Sequence, residues 1–249
     1  MPLNIKRGRA RQPRRAMIYG VHGCGKSHMA NQAPSPFFMN LEDGLGDIDV
    51  HAASEHIESY DHYMQVLRDV YREAKDHGLQ TLVNDTADHL DLLVQGEVCA
   101  KLGVESMGDI DFGKGWDNAL TLWEGIIECH HKLRRDLGMT IVFLAHADIK
   151  KVEKPGQESY DRYTPKLHRK VSGYMQEIMD EVLFMDYRSY VTKTDEGFGR
   201  ERAIAMGGTD RFLTTRETAA VMAKNRLDMP AEIELPNKDG MWQAYQQYI

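Results

Sequence analysis

"GVHGCGKS", residues 20–27, decides how the rest of the chain is read. It fits the phosphate-loop pattern G-x-x-x-x-G-K-[ST] at every fixed position. Gly20, Gly23 and Gly25 let the backbone turn its N–H groups inward around phosphate oxygens. Lys26 supplies a point charge for the β- and γ-phosphates, and Ser27 a hydroxyl for Mg²⁺. The helix expected to follow adds the positive end of its dipole. The nucleotide-binding segment is thus Gly20, Val21, His22, Gly23, Cys24, Gly25, Lys26, Ser27 and His28. Cys24 fills a variable position. A thiol near a helix N-terminus can act as a redox switch, but a small tolerated residue is the simpler reading. The loop says that phosphate binds, not what the nucleotide is for.

Working outward, the pattern sits where it must. "AMIYG" (16–20) is a buried strand feeding the loop, and "KSHMANQA" (26–33) continues it as a helix. "PFFMN" (36–40) and "LQTLVND" (79–85) read as further strands, and "MTIVFLAH" (139–146) as a central parallel strand. Helical spacing marks 60–77, 88–102, a segment with Trp116, Leu120, Trp123 and Ile127 on one core-facing side, and 166–178. Residues 103–116 and 147–165 read as loops. After a strand at 180–187, "RSYVTKTDEGFGRERAIAMG" reads as a hairpin, "TAAVMAKNRLDMP" as a strand-like run, and "MWQAYQQYI" as a short terminal helix. Strands alternating with helices predict an α/β fold: a mostly parallel sheet with crossovers, extended by a C-terminal antiparallel hairpin.

The bulk composition narrows the class. A chain of 249 residues, 42% apolar and 28% charged, suits one α/β domain with a real core. No run of about 18 apolar residues is present, so no membrane partner is expected. The N-terminus lacks the apolar region of a signal peptide. Cys24, Cys99 and Cys129 form no metal or redox spacing, which suits a reducing, cytoplasmic setting. The net charge of −7 hides two basic islands. Residues 1–15 form a basic tail with Lys6, Arg7, Arg9, Arg11, Arg14 and Arg15, ahead of a single domain over 16–249. The stretch 150–170 carries Lys150, Lys151, Lys154, Arg162, Lys166, Arg169 and Lys170 around Tyr160 and Tyr163. Basic islands on an acidic body suggest local contact with a polyanion, and interleaved aromatics suit backbone tracking with base stacking.

Four further residues are expected around the phosphate site. Asp85 ends an apolar strand after the phosphate loop, the Walker B pattern that holds Mg²⁺ with Ser27. Thr86 beside it is placed to orient water. Glu42, just past the second strand, can reach the γ-phosphate side as base or orienter. His146, at the tip of "TIVFLAH", can sense the γ-phosphate and move the loop behind it. His130 and His131 lack ligand spacing and read as structural. A GTPase base-reading motif fits only formally at "TKTD" (192–195), where a hairpin turn follows instead of a helix. A small-molecule kinase, with 150–170 as a lid, and a non-hydrolysing nucleotide-gated DNA-binding assembly protein both remain open.

The order of these motifs resembles the RecA-like recombinase and helicase core, and more closely the phage nucleotide-binding proteins with that core. The resemblance runs from about Arg14 to Leu235. "FMNLEDGL" is similar to the strand carrying that family's catalytic glutamate, which implies the role for Glu42. "VESMGDIDFGKGW" falls at the first DNA-binding loop, which implies DNA contact by Lys114. "IVFLAHADIK" resembles the strand coupling nucleotide state to a second DNA loop at 148–170. "MAKNRLDMP" resembles the basic finger that reaches the neighbouring subunit's phosphates, so Lys224 and Arg226 would complete a partner's catalytic site. The resemblance implies ATP and Mg²⁺ as cofactors and DNA-stimulated hydrolysis. It also implies a ring or filament of identical subunits, single-stranded DNA as partner, and a single-strand-binding protein as a further one. The setting would be the cytoplasm of an infected bacterial host. Large extra DNA-binding domains of bacterial recombinases are missing, so strand binding or annealing is implied more safely than exchange.

Overall fold

A computed structural model describes residues 12–249 except 43, 45, 47, 157 and 196–200, and the side chains outside 189–207. In chain order the elements are β1 (Arg15–Gly20), α1 (Lys26–Asn31), β2 (Pro36–Asn40), β3 (His51–Ala52), α2 (Tyr60–Glu73), β4 (Thr81–Asp85), α3 (Ala87–Leu102) and α4 (Lys114–Leu137). There follow β5 (Thr140–Val152), β6 (Tyr160–Pro165), α5 (Arg169–Ile178), β7 (Glu181–Asp195), β8 (Glu201–Thr214), β9 (Lys224–Asn225), β10 (Glu232–Leu235) and α6 (Met241–Gln246).

The main sheet runs β10-β8-β7-β1-β5-β4-β2-β3. β7, β1, β5, β4, β2 and β3 are parallel, while β8 and β10 add antiparallel strands at one side. This is the α/β class expected from the sequence, a mostly parallel sheet with an antiparallel extension. Successive strand residues feed two cores, as a period of two requires. Met17, Tyr19, Ile141 and Phe143 pack under α2, α3, α4 and α5 with Trp123 and Met175. Ile18, Val142, Leu144 and Leu183 pack on the other face with Met29 of α1 and Trp242 and Tyr245 of α6. A sheet covered on both faces explains why these strands read as continuous apolar runs. No helix among the described residues is long and apolar enough to cross a membrane.

Several expectations need correction. Residues 147–165 are not a loop: β5 continues to Val152 and turns back through β6 as an antiparallel pair, Ala147 opposite Pro165 through Val152 opposite Tyr160. β6 lies off the main path of the sheet, and its buried positions include Arg162 and Thr164, so its sequence lacks the apolar signature of a core strand. The run 218–230 contributes only the two residues of β9 to the sheet, together with a bridge from Val221 to Tyr163. Trp116 does not begin the core face of α4; its ring stacks on His168 at 3.6 Å and 7°, half-buried at the surface. The helical core face is carried instead by Ala119, Trp123, Ile126, Ile127, His130 and Leu133. The tail reading for Lys6, Arg7, Arg9 and Arg11 lies outside the described residues. Arg14 and Arg15 belong to the domain: Arg14 pairs with Glu181, and Arg15 begins β1 and pairs with Asp180 at 3.1 Å.

Candidate functional site

The parallel strands end along one edge, where ligands of open α/β sheets bind. β1 delivers the phosphate loop to this edge, β2 delivers Glu42, β4 delivers Asp85, and β5 delivers His146. Lys26, Ser27, Glu42, Asp85 and His146 line a single cavity. Gly20 is required by close packing, because a Cβ there would meet the Met185 carbonyl oxygen at 2.0 Å. Gly25 turns the chain into α1 at φ 99°, a left-handed conformation that glycine adopts without strain.

Lys26 is buried, and its Nζ donates to the carbonyls of Gly20 at 3.1 Å and Val21 at 3.0 Å. Three donors on a flexible stem leave it able to meet phosphate oxygens. Ser27 Oγ donates to Asp85 Oδ2 at 2.6 Å. Burial pushes the Asp85 carboxyl up; the Ser27 hydrogen bond opposes this, and the nearby Glu42 charge adds to it. A hydroxyl and a carboxylate held together are hard oxygen donors, a set that fits Mg²⁺ bound alongside nucleotide phosphates.

His146 is held on two sides by Asp88, a residue in the first turn of α3. Its backbone N–H donates to Asp88 Oδ1 at 3.0 Å, and Nδ1 lies 2.8 Å from Asp88 Oδ2. Burial raises the Asp88 pKa, but the two hydrogen bonds from His146 outweigh it and leave a value of about 2. Asp88 therefore accepts as a carboxylate, Nδ1 carries a proton, and Nε2 faces Glu42 Oε2 at 3.9 Å. His22 of the phosphate loop stacks on the same ring at 4.0 Å. The neighbouring His146 charge, then burial, pushes the His22 pKa down. Glu42 Oε2 also lies 3.4 Å from Thr86 Oγ1 and 3.4 Å from His89 Nδ1.

Asp88 and His89 were not singled out in the sequence. Both look like ordinary first-turn helix residues, where an acid suits the dipole. The available signal was "DTADH" directly after the β4 strand, a polar cluster at the edge where ligands bind.

Cys24 is a fully buried core side chain, not a reactive thiol; burial pushes its pKa up against the opposing Lys26 charge. Of the residues expected to contact DNA, Lys114, Lys151, Lys166 and Arg169 are exposed. Arg162 is not: it is buried, pairs with Glu217 at 2.6 Å and donates to the Ala219 carbonyl at 3.2 Å. Lys150 Nζ donates to the Leu167 carbonyl at 2.6 Å, and Lys170 pairs with Asp117. Tyr163 is unsuited to stacking on bases, because its ring stacks on Phe184 at 5.0 Å and joins the core. Phe112, by contrast, is 96% exposed, two residues before Lys114.

Lys224 and Arg226 lie at the opposite edge from the phosphate loop. β9 pairs with β7 at Glu181 and Val182, whereas Gly20 is level with Met185. Lys224 Nζ donates to the carbonyls of Gln176 (2.6 Å), Glu177 (3.1 Å) and Met179 (2.9 Å), capping the C-terminal end of α5. Burial pushes the Lys224 pKa down. Arg226 pairs with Asp180 at 3.3 Å and donates to the Glu177 carbonyl at 3.0 Å. In the single chain these cations hold their own fold and do not serve their own phosphate loop.

A phosphate loop, a Ser–Asp pair for Mg²⁺ and a carboxylate on the γ-phosphate side together define a P-loop nucleotide-binding ATPase core. The chain belongs to the AAA domain family, whose model matches residues 12–227. No curated protein matches it. Among solved structures it is similar to a KaiC-like protein from the hyperthermophilic archaeon Pyrococcus horikoshii, at 14% identity and a TM-score of 0.46, over 91% of this chain and 88% of that one.

Proposed function

We propose that this ATPase is a phage-type recombination protein that assembles as a ring or filament, binds single-stranded DNA for annealing or pairing, and hydrolyses Mg-ATP in response. Lys26, Ser27 and Asp85 hold phosphates and Mg²⁺. Glu42 takes the proton of the attacking water or orients it, with Thr86 beside it.

The observation that carries the reading is a shared wall. Asp88 and His89, which contact His146 and Glu42, also line a neighbouring hollow with Trp116, Lys166 and His168. Trp116, in the first turn of α4, lines one side of that hollow, and Asp148 of β5 lines it too. The Lys166 backbone N–H donates to the His146 carbonyl at 2.9 Å, which ties the basic turn to the nucleotide-facing strand. A strand stacking on Phe112 or Trp116, with phosphates on Lys114, Lys151, Lys166 and Arg169, would press directly on the residues around Glu42.

The placement of Lys224 and Arg226 supports assembly. At the edge opposite the phosphate loop, they can meet only another copy's nucleotide, and to do so they must leave the end of α5. A finger of this kind contributes about 10³–10⁵ in rate.

The test is the ATPase rate with and without single-stranded DNA, across protein concentration. The reading expects stimulation by DNA and a more-than-linear rise with protein. A rate indifferent to DNA and linear in protein would refute it, and phosphate transfer to a soluble acceptor would favour a kinase.

A further inference from the structure

The mouth of the nucleotide site brings together a second set of donors whose chemistry differs from that of Ser27 and Asp85. Glu42 follows β2, His89 stands in the first turn of α3, and His146 lies in β5. One ligand atom from each falls within 4.8 Å of the others. Glu42 Oε2 is 3.4 Å from His89 Nδ1 and 3.9 Å from His146 Nε2. Bonds of about 2.0–2.1 Å in a tetrahedral site put neighbouring ligand atoms roughly 3.3–3.4 Å apart. Small side-chain rotations therefore close this set around one ion.

His146 Nδ1 lies 2.8 Å from Asp88 Oδ2, so Nε2 is the ring atom turned toward the Glu42 carboxylate. The Thr86 hydroxyl lies 2.8 Å from His89 Nδ1 and 3.4 Å from Glu42 Oε2, beside the same set. The outer shell has the form seen behind metal-bound histidines, a carboxylate fixing the tautomer and the ring. The His146 ring is further fixed by burial and by the His22 stack.

Two imidazoles and one carboxylate favour a late first-row ion over Mg²⁺, which prefers oxygen donors. We propose that Glu42, His89 and His146 bind a divalent transition-metal ion of the Zn²⁺ type, separate from the Mg²⁺ position at Ser27 and Asp85. With the ion on Oε2, the Glu42 carboxylate shares its charge with the metal and is a weaker base toward water. Hydrolysis slows while Lys26 and Ser27 still hold the nucleotide. This consequence rests on the catalytic reading of Glu42; the binding of the ion does not.

The experiment titrates nucleotide-free full-length protein with Co²⁺, reading its visible absorption, and displaces it with Zn²⁺. Binding of one ion per chain is expected, insensitive to millimolar Mg²⁺. Asp88→Asn should weaken it by about 10–100-fold, the scale of an outer-shell loss, and His89→Ala by more. His89 is 38% exposed on its side chain, so its replacement leaves the core intact. His77→Ala, an exposed histidine elsewhere, should change nothing. Unchanged affinity in His89→Ala, or no binding, overturns the proposal. If the ion binds as described but Zn²⁺ leaves wild-type hydrolysis untouched, the site stands and the role of Glu42 as base falls.

Discussion

Asp85 and Asp180 are two buried carboxylates at opposite edges of the same parallel sheet, and their surroundings push them in opposite directions. Asp180 precedes β7 and pairs with Arg15, Arg134 and Arg226. Burial raises its pKa, but the Arg15 hydrogen bond and charge outweigh burial and hold it low. Asp85 has Ser27 as a neutral partner and Glu42 as a repelling neighbour, and its pKa is raised. At the Asp180 edge, charges are matched within the chain, and Lys224 spends its protons on carbonyls of α5. At the Asp85 edge, acceptors gather that only an incoming cation or phosphate-bound metal can match. One edge maintains the fold; the other is arranged for ligand.

The largest effect that could break this contrast is on binding. Lys26→Ala should lower Mg-ATP affinity by about 100-fold or more, roughly 2.7 kcal/mol, in a calorimetric titration. Unchanged affinity would mean that the glycine loop is not the phosphate cradle. Next comes Lys224. If its ammonium holds the end of α5, Lys224→Ala should cost about 1.5–3 kcal/mol in urea unfolding, the range for hydrogen bonds to a charged group. An unaffected midpoint would show that Lys224 is not needed within its own subunit. That outcome would sharpen the case for a finger serving the next one.

The smallest effect is a difference of sign. Asp180, held low, contributes stability that is complete above its ordinary value of 3.8 and lost as pH falls through its folded pKa. Asp85, held high, is destabilising when ionised, and that penalty is relieved as pH falls through its folded pKa. Thermal melts without Mg²⁺ at neutral pH should therefore show Asp180→Asn melting lower than wild type and Asp85→Asn melting higher. Shifts of the same sign would erase the distinction between the edges.

The readable parts of the sequence were those whose physics is local. The phosphate loop needs its glycines in fixed places, and central strands must be apolar on both faces, so 16–20 and 139–146 were legible. The β5–β6 ribbon was not, because buried positions of β6 are filled by Arg162 and Thr164 and make no apolar run. Charges were the least legible feature. Lys151 and Arg162 look alike in sequence, but Arg162 meets Glu217, 55 residues away, and Lys151 remains exposed. Lys224 and Arg226 read in the sequence as a finger toward a neighbour, and the fold gives them a use of its own at the end of α5. Asp88 and His89 were hidden in plain helical composition, and only the sheet order, which sets β5 beside β4, brings them to His146 and Glu42.

The central claim is that the Asp85 edge is a hydrolytic site with Glu42 at its reacting end. Glu42→Gln tests it most directly, with Mg-ATP affinity and single-turnover hydrolysis measured on the same protein. The account predicts affinity within about twofold of wild type and hydrolysis slowed by about 10²–10⁴-fold, the worth of a positioned base. Hydrolysis at the wild-type rate in Glu42→Gln would contradict it.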